Sequence, residues 1–265
     1  MSRRRLDAEL VRRGLAPSRA RAQEAVSAGL VTVAGITATK PATLVAEDAP
    51  VRIVAGTRPF VSRGGHKLAA ALDRFGVDPA GRDCLDAGAS TGGFTDCLLQ
   101  RGAARVIAVD VGYGQLAWEL RSDPRVAVME RTNVRDLAGP ALPFEPDLLV
   151  ADLSFISVGT ALPALAALGP AGSELVVLVK PQFEAGRDAV GRGGVVRDPA
   201  VWRRVLASVA DGAHRLGLVP LGVMASPLPG PAGNVEFLMH LARSAARPAA
   251  FDIDAAVAEG EALPR

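Results

Sequence analysis

The stretch Cys84-Leu85-Asp86-Ala87-Gly88-Ala89-Ser90-Thr91-Gly92-Gly93-Phe94-Thr95 decides the fold. It runs from a short apolar strand through small residues into a helix whose apolar positions are Phe94, Leu98 and Leu99. Glycines at 88, 92 and 93 let the backbone turn tightly and let a ligand approach where a Cβ would collide. A strand, a glycine-rich turn and a helix start form the nucleotide-cradling corner of a doubly wound sheet. The spacing is G-x-x-x-G-G, so the phosphate-binding G-x-G-x-x-G fingerprint is absent. The next strand, residues 105–109, ends in Asp110, placed to grip a ribose diol. A ribose-gripping acid without a pyrophosphate loop points to S-adenosylmethionine over NAD. Asp86, Gly88, Ser90, Thr91, Gly92, Gly93 and Asp110 are its candidate contacts.

Further strands follow at regular intervals. After Asp110 a helix around Leu116 and Leu120 leads to a strand over residues 126–129 and then to Asn133, whose amide can pair with a base edge, although Asn is also a common turn residue. Residues 147–151 and 174–179 read as buried parallel strands, ending in Asp152 and Lys180. Ligands of open α/β sheets bind at that carboxyl edge, and Asp152 is a cofactor candidate as well. A salt bridge capping the sheet is the alternative reading. After a helix over 201–216 and a strand over 218–224, residues 234–240 form the last strand. If it runs antiparallel, its start brings Glu236 to the same edge as Asp152 and Lys180. The expected fold is therefore α/β, a Rossmann-like, mostly parallel sheet with its last strand antiparallel. Residues 186–197, rich in Gly and Arg, read as a mobile loop, and the tail from Ser244 as a short docking helix.

The N-terminal fifth differs in charge. Residues 1–58 hold 10 Lys+Arg against 5 Asp+Glu, while the remainder holds 20 against 23, so a basic appendage sits on a slightly acidic body. That asymmetry suggests a polyanion partner. Two short helices, 6–14 and 18–29 with Gly29 as stop, present Arg12, Arg13, Arg19 and Arg21, and short strands follow as far as residue 53. Only three of the 30 Lys+Arg residues are lysines: Lys40, Lys67 and Lys180. An amine can act as a base where a guanidinium cannot. Lys67 follows Ser62-Arg63-Gly64-Gly65-His66 and opens a helix with the buried stripe Leu68, Leu72 and Phe75. In a first turn it faces the positive end of the helix dipole, which favours a functional over a stabilising role. Two cysteines, Cys84 and Cys97, are too few and too far apart for a zinc cluster or a redox pair. No metal is expected, and the thiols suit the core of a cytoplasmic protein. No apolar run reaches the length of a bilayer span, and Asp7 and Glu9 stand where a signal peptide needs its apolar stretch.

The N-terminal pattern, with Ser18-Arg19-Ala20-Arg21-Ala22 and Gly29-Leu30-Val31-Thr32-Val33-Ala34-Gly35, resembles the S4 RNA-binding domain. The set Lys67, Asp152, Lys180 and Glu236 resembles the tetrad of FtsJ-type ribose 2′-O-methyltransferases. Together with Ser62-Arg63-Gly64-Gly65-His66-Lys67-Leu68, Ala151-Asp152-Leu153-Ser154-Phe155-Ile156-Ser157, Val179-Lys180-Pro181-Gln182-Phe183-Glu184 and Gly233-Asn234-Val235-Glu236-Phe237, it resembles the TlyA (hemolysin A) family along nearly the whole chain. The resemblance implies an S4-like domain over 1–58, a linker over 59–64 and an FtsJ-like methyltransferase domain over 65–265. It implies transfer of a methyl group from S-adenosylmethionine to cytidine 2′-hydroxyls of small- and large-subunit ribosomal RNA. Lys180 is then the expected base, with Lys67 disfavouring its ammonium and Asp152 and Glu236 orienting both amines. Arg4, Arg5, Arg12, Arg13, Arg19, Arg21 and Arg63 are the expected RNA contacts. The family linker carries Arg-x-Trp-Val where this chain has Arg58-Pro59-Phe60-Val61, which keeps the aromatic and drops the indole N–H. Two other readings stand beside it. One is the membrane-active protein implied by the name hemolysin, for which the sequence offers no amphipathic Trp- or Lys-rich helix. The other is an S4-tethered RNA binder without catalysis.

Overall fold

The computed structural model describes residues 3–27, 30–38, 40–53, 60–243 and 251–263. The expected helix stop at Gly29, residues 54–59 including the first residue of the expected linker, and tail residues 244–250 lie outside these. The chain divides into two compact units, Met1–Pro59 and Phe60–Arg265.

In the first unit, β1 (Arg3–Arg5) leads into α1 (Leu6–Arg12) and α2 (Arg19–Ser27), followed by β2 (Val31–Val33), β3 (Ile36–Thr37), β4 (Leu44–Ala46) and β5 (Val51–Ile53). β2 pairs antiparallel with β3 and with β5, and β1 pairs antiparallel with β4. Positive φ at Ala34 (50°) and Gly35 (82°) makes the β2–β3 connection a hairpin turn matched to strand twist. Leu6, Leu10, Ala22, Val26, Val31, Val45 and Val51 form its core.

The second unit runs α3 (Arg63–Phe75), β6 (Asp83–Ala87), α4 (Gly93–Gln100), β7 (Arg105–Val109), α5 (Trp118–Arg121), β8 (Val126–Met129), β9 (Leu148–Ala151), α6 (Val158–Leu168), β10 (Glu174–Val179), α7 (Pro181–Glu184), α8 (Pro199–Arg215), β11 (Val219–Ala225), β12 (Phe237–Ala242) and α9 (Ile253–Glu261). Its seven-stranded sheet has the order β11-β12-β10-β9-β6-β7-β8. Neighbours from β10 to β8 pair parallel, and β12 runs antiparallel between β10 and β11. The sheet is mostly parallel, as the strand pattern predicts. Alternate residues enter opposite cores: Leu149 and Ala151 pack toward α6 and α8, and Leu148 and Val150 toward α3 and α4. Each fully buried Leu or Val contributes about 1.5–3 kcal/mol.

Register levels the strand ends. Ala87 opposes both Val109 and Ala151, so Gly88, Asp110 and Asp152 leave the sheet at one height. Phe237 opposes Val179, so Glu236 enters β12 beside the exit of Lys180 from β10.

Three elements differ from expectation. The Ser62 hydroxyl accepts from Gly64 N–H at 3.3 Å and caps α3, which therefore begins at Arg63, inside the expected linker. Lys67 falls in the second turn of that helix, not the first. Gly65 lies within it because a Cβ there would run into the Phe60 ring. The helix expected around Leu116 and Leu120 is a four-residue turn, α5, although both leucines are buried. Residues 186–197 are held at their C-terminal end, where the Asn234 amide accepts from Val196 N–H and donates to Gly194 O, each at 2.9 Å. In the tail, α9 buries Ala256 and Val257 and packs on α8 and β11.

Among the described residues no helix is long and apolar enough to cross a membrane, and no group of three or more His, Cys, Asp or Glu could hold a metal. Cys84 and Cys97 are buried free thiols, and burial pushes each up to about 12.

Candidate active site

Two adjoining cavities open at the carboxyl edge of the sheet. One, of about 450 Å³, is lined by Gly88, Ser90, Asp110, Gly112, Asn133 and Asp152 among others. That volume falls within the roughly 300–1,000 Å³ of small-molecule sites. The other, of about 390 Å³, is lined by Lys67, Asp152, Lys180 and Glu236 with Arg63, Thr91 and Gly93. Gly88, Ser90, Asp152 and Ser154 border both.

In the first cavity, Asp110 Oδ2 accepts from Ser90 N–H at 2.8 Å and Oδ1 from Gly112 N–H at 2.6 Å. Two backbone donors thus fix a carboxylate that keeps lone pairs for a ligand hydroxyl. Gly88 has φ +85°, and a Cβ there would stand 2.6 Å from the Asp152 carbonyl oxygen, so only glycine leaves this cradle intact. Asn133 Oδ1 is committed to the N–H and Nε of Arg135, leaving its NH₂ free to meet an acceptor. A fixed acid, an amide and a glycine cradle on one cavity fit an adenosine-bearing ligand such as S-adenosylmethionine.

Not every predicted contact reaches this cavity. Asp86 is fully buried and lines neither; its Oδ2 accepts from the N–H and hydroxyl of Thr95 at 2.9 and 2.7 Å, bracing the turn against α4. Burial pushes its carboxyl up to about 7. Gly92, with φ +100°, packs against Leu116 and Leu120. Thr91 and Gly93 face the second cavity. Gln115 was missed: it lines the first cavity and its Oε1 accepts from the Ser90 hydroxyl at 3.3 Å, but nothing in its sequence context marks it.

The second cavity holds two ion pairs. Lys67 Nζ donates to Glu236 Oε2 at 2.5 Å, with both residues buried. Lys180 Nζ lies 2.6 Å from Asp152 Oδ1 and donates to the Ser154 hydroxyl at 2.9 Å. The Phe183 ring centroid is 5.8 Å from the same ammonium. Around them, Arg63 donates to Pro229 O at 2.8 Å, and Glu184 clamps the start of α6, accepting from the Ser157 hydroxyl and Val158 N–H at 2.6 Å each. Burial pushes the Glu184 carboxyl up. Phe155, 93% exposed with φ +65°, presents a ring at the rim of the first cavity. An exposed aromatic of this kind offers a stacking face, and the surrounding motif alone does not reveal its orientation.

The arginines of the first unit are less free than their number suggests. Asp7 and Glu9 are buried there, and Arg5 and Arg19 pair with Asp7 while Arg12 and Arg13 pair with Glu9. These partners hold Glu9 at about 2 and Asp7 well below the usual carboxylate range. Arg13 also donates to the carbonyls of Ala49 and Glu47. Arg4 is exposed on β1, and Arg21 has a partner of its own.

The FtsJ-like methyltransferase family profile matches residues 60–243, and the S4 domain profile matches residues 4–51. The chain is 57% identical over 243 residues to the 16S/23S rRNA (cytidine-2′-O)-methyltransferase TlyA of Mycobacterium tuberculosis, covering 91% of each. It is 47% identical to the putative rRNA methyltransferase YqxC of Bacillus subtilis, over 89% of this chain and 85% of that one. A crystal structure described as a putative hemolysin from Lactococcus lactis superposes with a TM-score of 0.74 at 43% identity, over 77% of this chain and all of that one.

Proposed function

Because the chain belongs to the FtsJ-like methyltransferases, in the TlyA line that joins them to an S4 domain, we propose that it methylates cytidine 2′-hydroxyls of ribosomal RNA. The observation that carries this reading is the shared wall of the two cavities, which brings two Lys–carboxylate pairs beside a site fit for S-adenosylmethionine. The named activity of the Mycobacterium tuberculosis relative supports the substrate class.

In this reading Asp110 would hold the ribose hydroxyls of the donor, the Asn133 amide would donate to its adenine, and the Gly88 turn would leave room for its tail. When bound, the donor supplies a sulfonium methyl that needs alignment more than activation. The target hydroxyl is a weak nucleophile until its proton is removed, and Lys180 is the base. Asp152, with Oδ1 2.6 Å from Nζ, and the Ser154 hydroxyl at 2.9 Å keep that amine at the cavity wall. Lys180 then takes the hydroxyl proton, leaving an oxygen that could receive the methyl group a bound donor would supply. Lys67, held by Glu236, lines the same cavity and positions the incoming ribose. The first unit contributes salt-sensitive affinity for RNA through Arg4 and the guanidinium groups of Arg5, Arg12 and Arg19, which remain partly exposed beside their carboxylate partners, with Arg63 acting at the second cavity.

The test is incubation of purified protein with methyl-labelled S-adenosylmethionine and separated small and large ribosomal subunits from cells lacking it, followed by nucleoside analysis. Label in 2′-O-methylcytidine from either subunit supports the reading. Label confined to base positions, or no label with donor binding intact, overturns it.

A further inference from the structure

The two polar neighbours of Lys180 are not equivalent. Asp152 Oδ1 stands 2.6 Å from Nζ yet receives no directed hydrogen bond, whereas Ser154 Oγ accepts one at 2.9 Å. A carboxylate at that distance supplies charge, and charge alone does not select a rotation about the Cε–Nζ bond. A directed acceptor does, because hydrogen bonds weaken steeply away from alignment. Once one N–H points at Ser154, the two remaining tetrahedral positions of the nitrogen are fixed with it. Lys180 is itself only 8% exposed, so this rotation is the principal freedom left to its amine.

We infer that Ser154 is a positioning residue for methyl transfer: its hydroxyl locks the Lys180 amine so that the lone pair taking the ribose proton faces the cavity. The inference rests on the proposed role of Lys180 as base. A second feature shows that the Ser154–Lys180 spacing is built. Ser154 lies two residues past Asp152 in the loop between β9 and α6, which no strand ladder holds. That loop is fastened instead by Glu184, four residues past Lys180, through the Ser157 hydroxyl and Val158 N–H. The segment carrying the acceptor is therefore braced to the segment carrying the base. Ser154 also borders both cavities, so the amine it aims stands at the junction where a methyl donor and a ribose hydroxyl meet. The proton moves from the ribose oxygen to Lys180 Nζ as that oxygen gains the methyl group and the donor leaves as a neutral thioether. Ser154 exchanges no atom.

The experiment compares Ser154→Ala, Ser154→Thr and Lys180→Arg in the full chain, with ribosomal subunits as substrate and S-adenosylmethionine affinity measured by calorimetry. Loss of the aligning hydroxyl lowers kcat about tenfold to a hundredfold in Ser154→Ala, with KM for the subunit and donor affinity unchanged. Ser154→Thr keeps a hydroxyl at an exposed position with room for a methyl group, and it restores most of the rate. Wild-type kcat in Ser154→Ala beside an inactive Lys180→Arg overturns this inference and leaves the base assignment standing. A rise in KM alone, or equal loss in the Ala and Thr variants, also overturns it. Turnover by Lys180→Arg overturns the base assignment and the inference together.

Discussion

Replacing Glu236 by Gln keeps the shape of the side chain and strands the ammonium of Lys67, a residue only 7% exposed. Removing one partner of a buried ion pair costs about 3–5 kcal/mol, and Lys67 borders a cavity that admits water, so the lower figure, about 3 kcal/mol, applies. For a unit of this size each kcal/mol moves Tm by roughly 2–4 °C, which makes the expected drop about 6–12 °C. Substituting both partners, as Lys67→Met with Glu236→Leu, removes the stranded charge and returns stability to within about 1 kcal/mol of wild type. Both tryptophans, Trp118 and Trp202, lie in the second unit, so intrinsic tryptophan fluorescence during urea unfolding reads that unit alone. Methyl transfer is lost in the single and the double variants alike, since stability returns with the pair's removal and the chemistry does not. A cost below about 1 kcal/mol for Glu236→Gln, with no recovery in the double variant, would refute a buried, coupled pair.

Other outcomes follow from the same geometry. Gly88→Ala places a Cβ against the Asp152 carbonyl at a φ of +85°, so donor affinity by calorimetry falls more than about tenfold, and an unchanged Kd contradicts the cradle. Buried acids of the two units respond oppositely to pH. Asp7 and Glu9 have lowered values, so their contribution to the first unit is full above the ordinary carboxylate range and is lost as pH falls toward about 2, read as faster amide exchange in α1 and α2. Asp86 is raised to about 7, so its contribution to the second unit is full below its unfolded value near 4 and is lost as pH rises through 7. Asp86→Asn flattens that second slope in tryptophan-monitored unfolding and leaves the first unit unaffected.

Much of the site was legible because parallel strands expel their next residue at a common edge. Asp110, Asp152 and Lys180 could be placed from strand ends alone, and an antiparallel last strand was enough to bring Glu236 to them. Side-chain commitments were not legible. Asp86 looks like a cofactor acid in sequence, and only packing shows it buried beneath Thr95. The basic face of the first unit is read from arginines, while the buried Asp7 and Glu9 that occupy four of them depend on the folded arrangement of α1. Ser154 and Gln115 carry no periodic or spacing signal, since each acts through a single hydrogen bond across the sheet edge. The α3 start was misplaced because a double glycine reads as a break, whereas Ser62 caps the helix ahead of it.

Methyl transfer in this reading depends above all on Lys180 removing the ribose proton. Lys180→Arg keeps the positive charge and the contact with Asp152, and it abolishes a base that works near neutral pH. The decisive measurement is single-turnover methyl transfer to ribosomal subunits by this variant, beside its S-adenosylmethionine affinity. Donor binding is expected to be unchanged and the rate at least about a hundredfold lower. A rate within a few-fold of wild type contradicts Lys180 as the base.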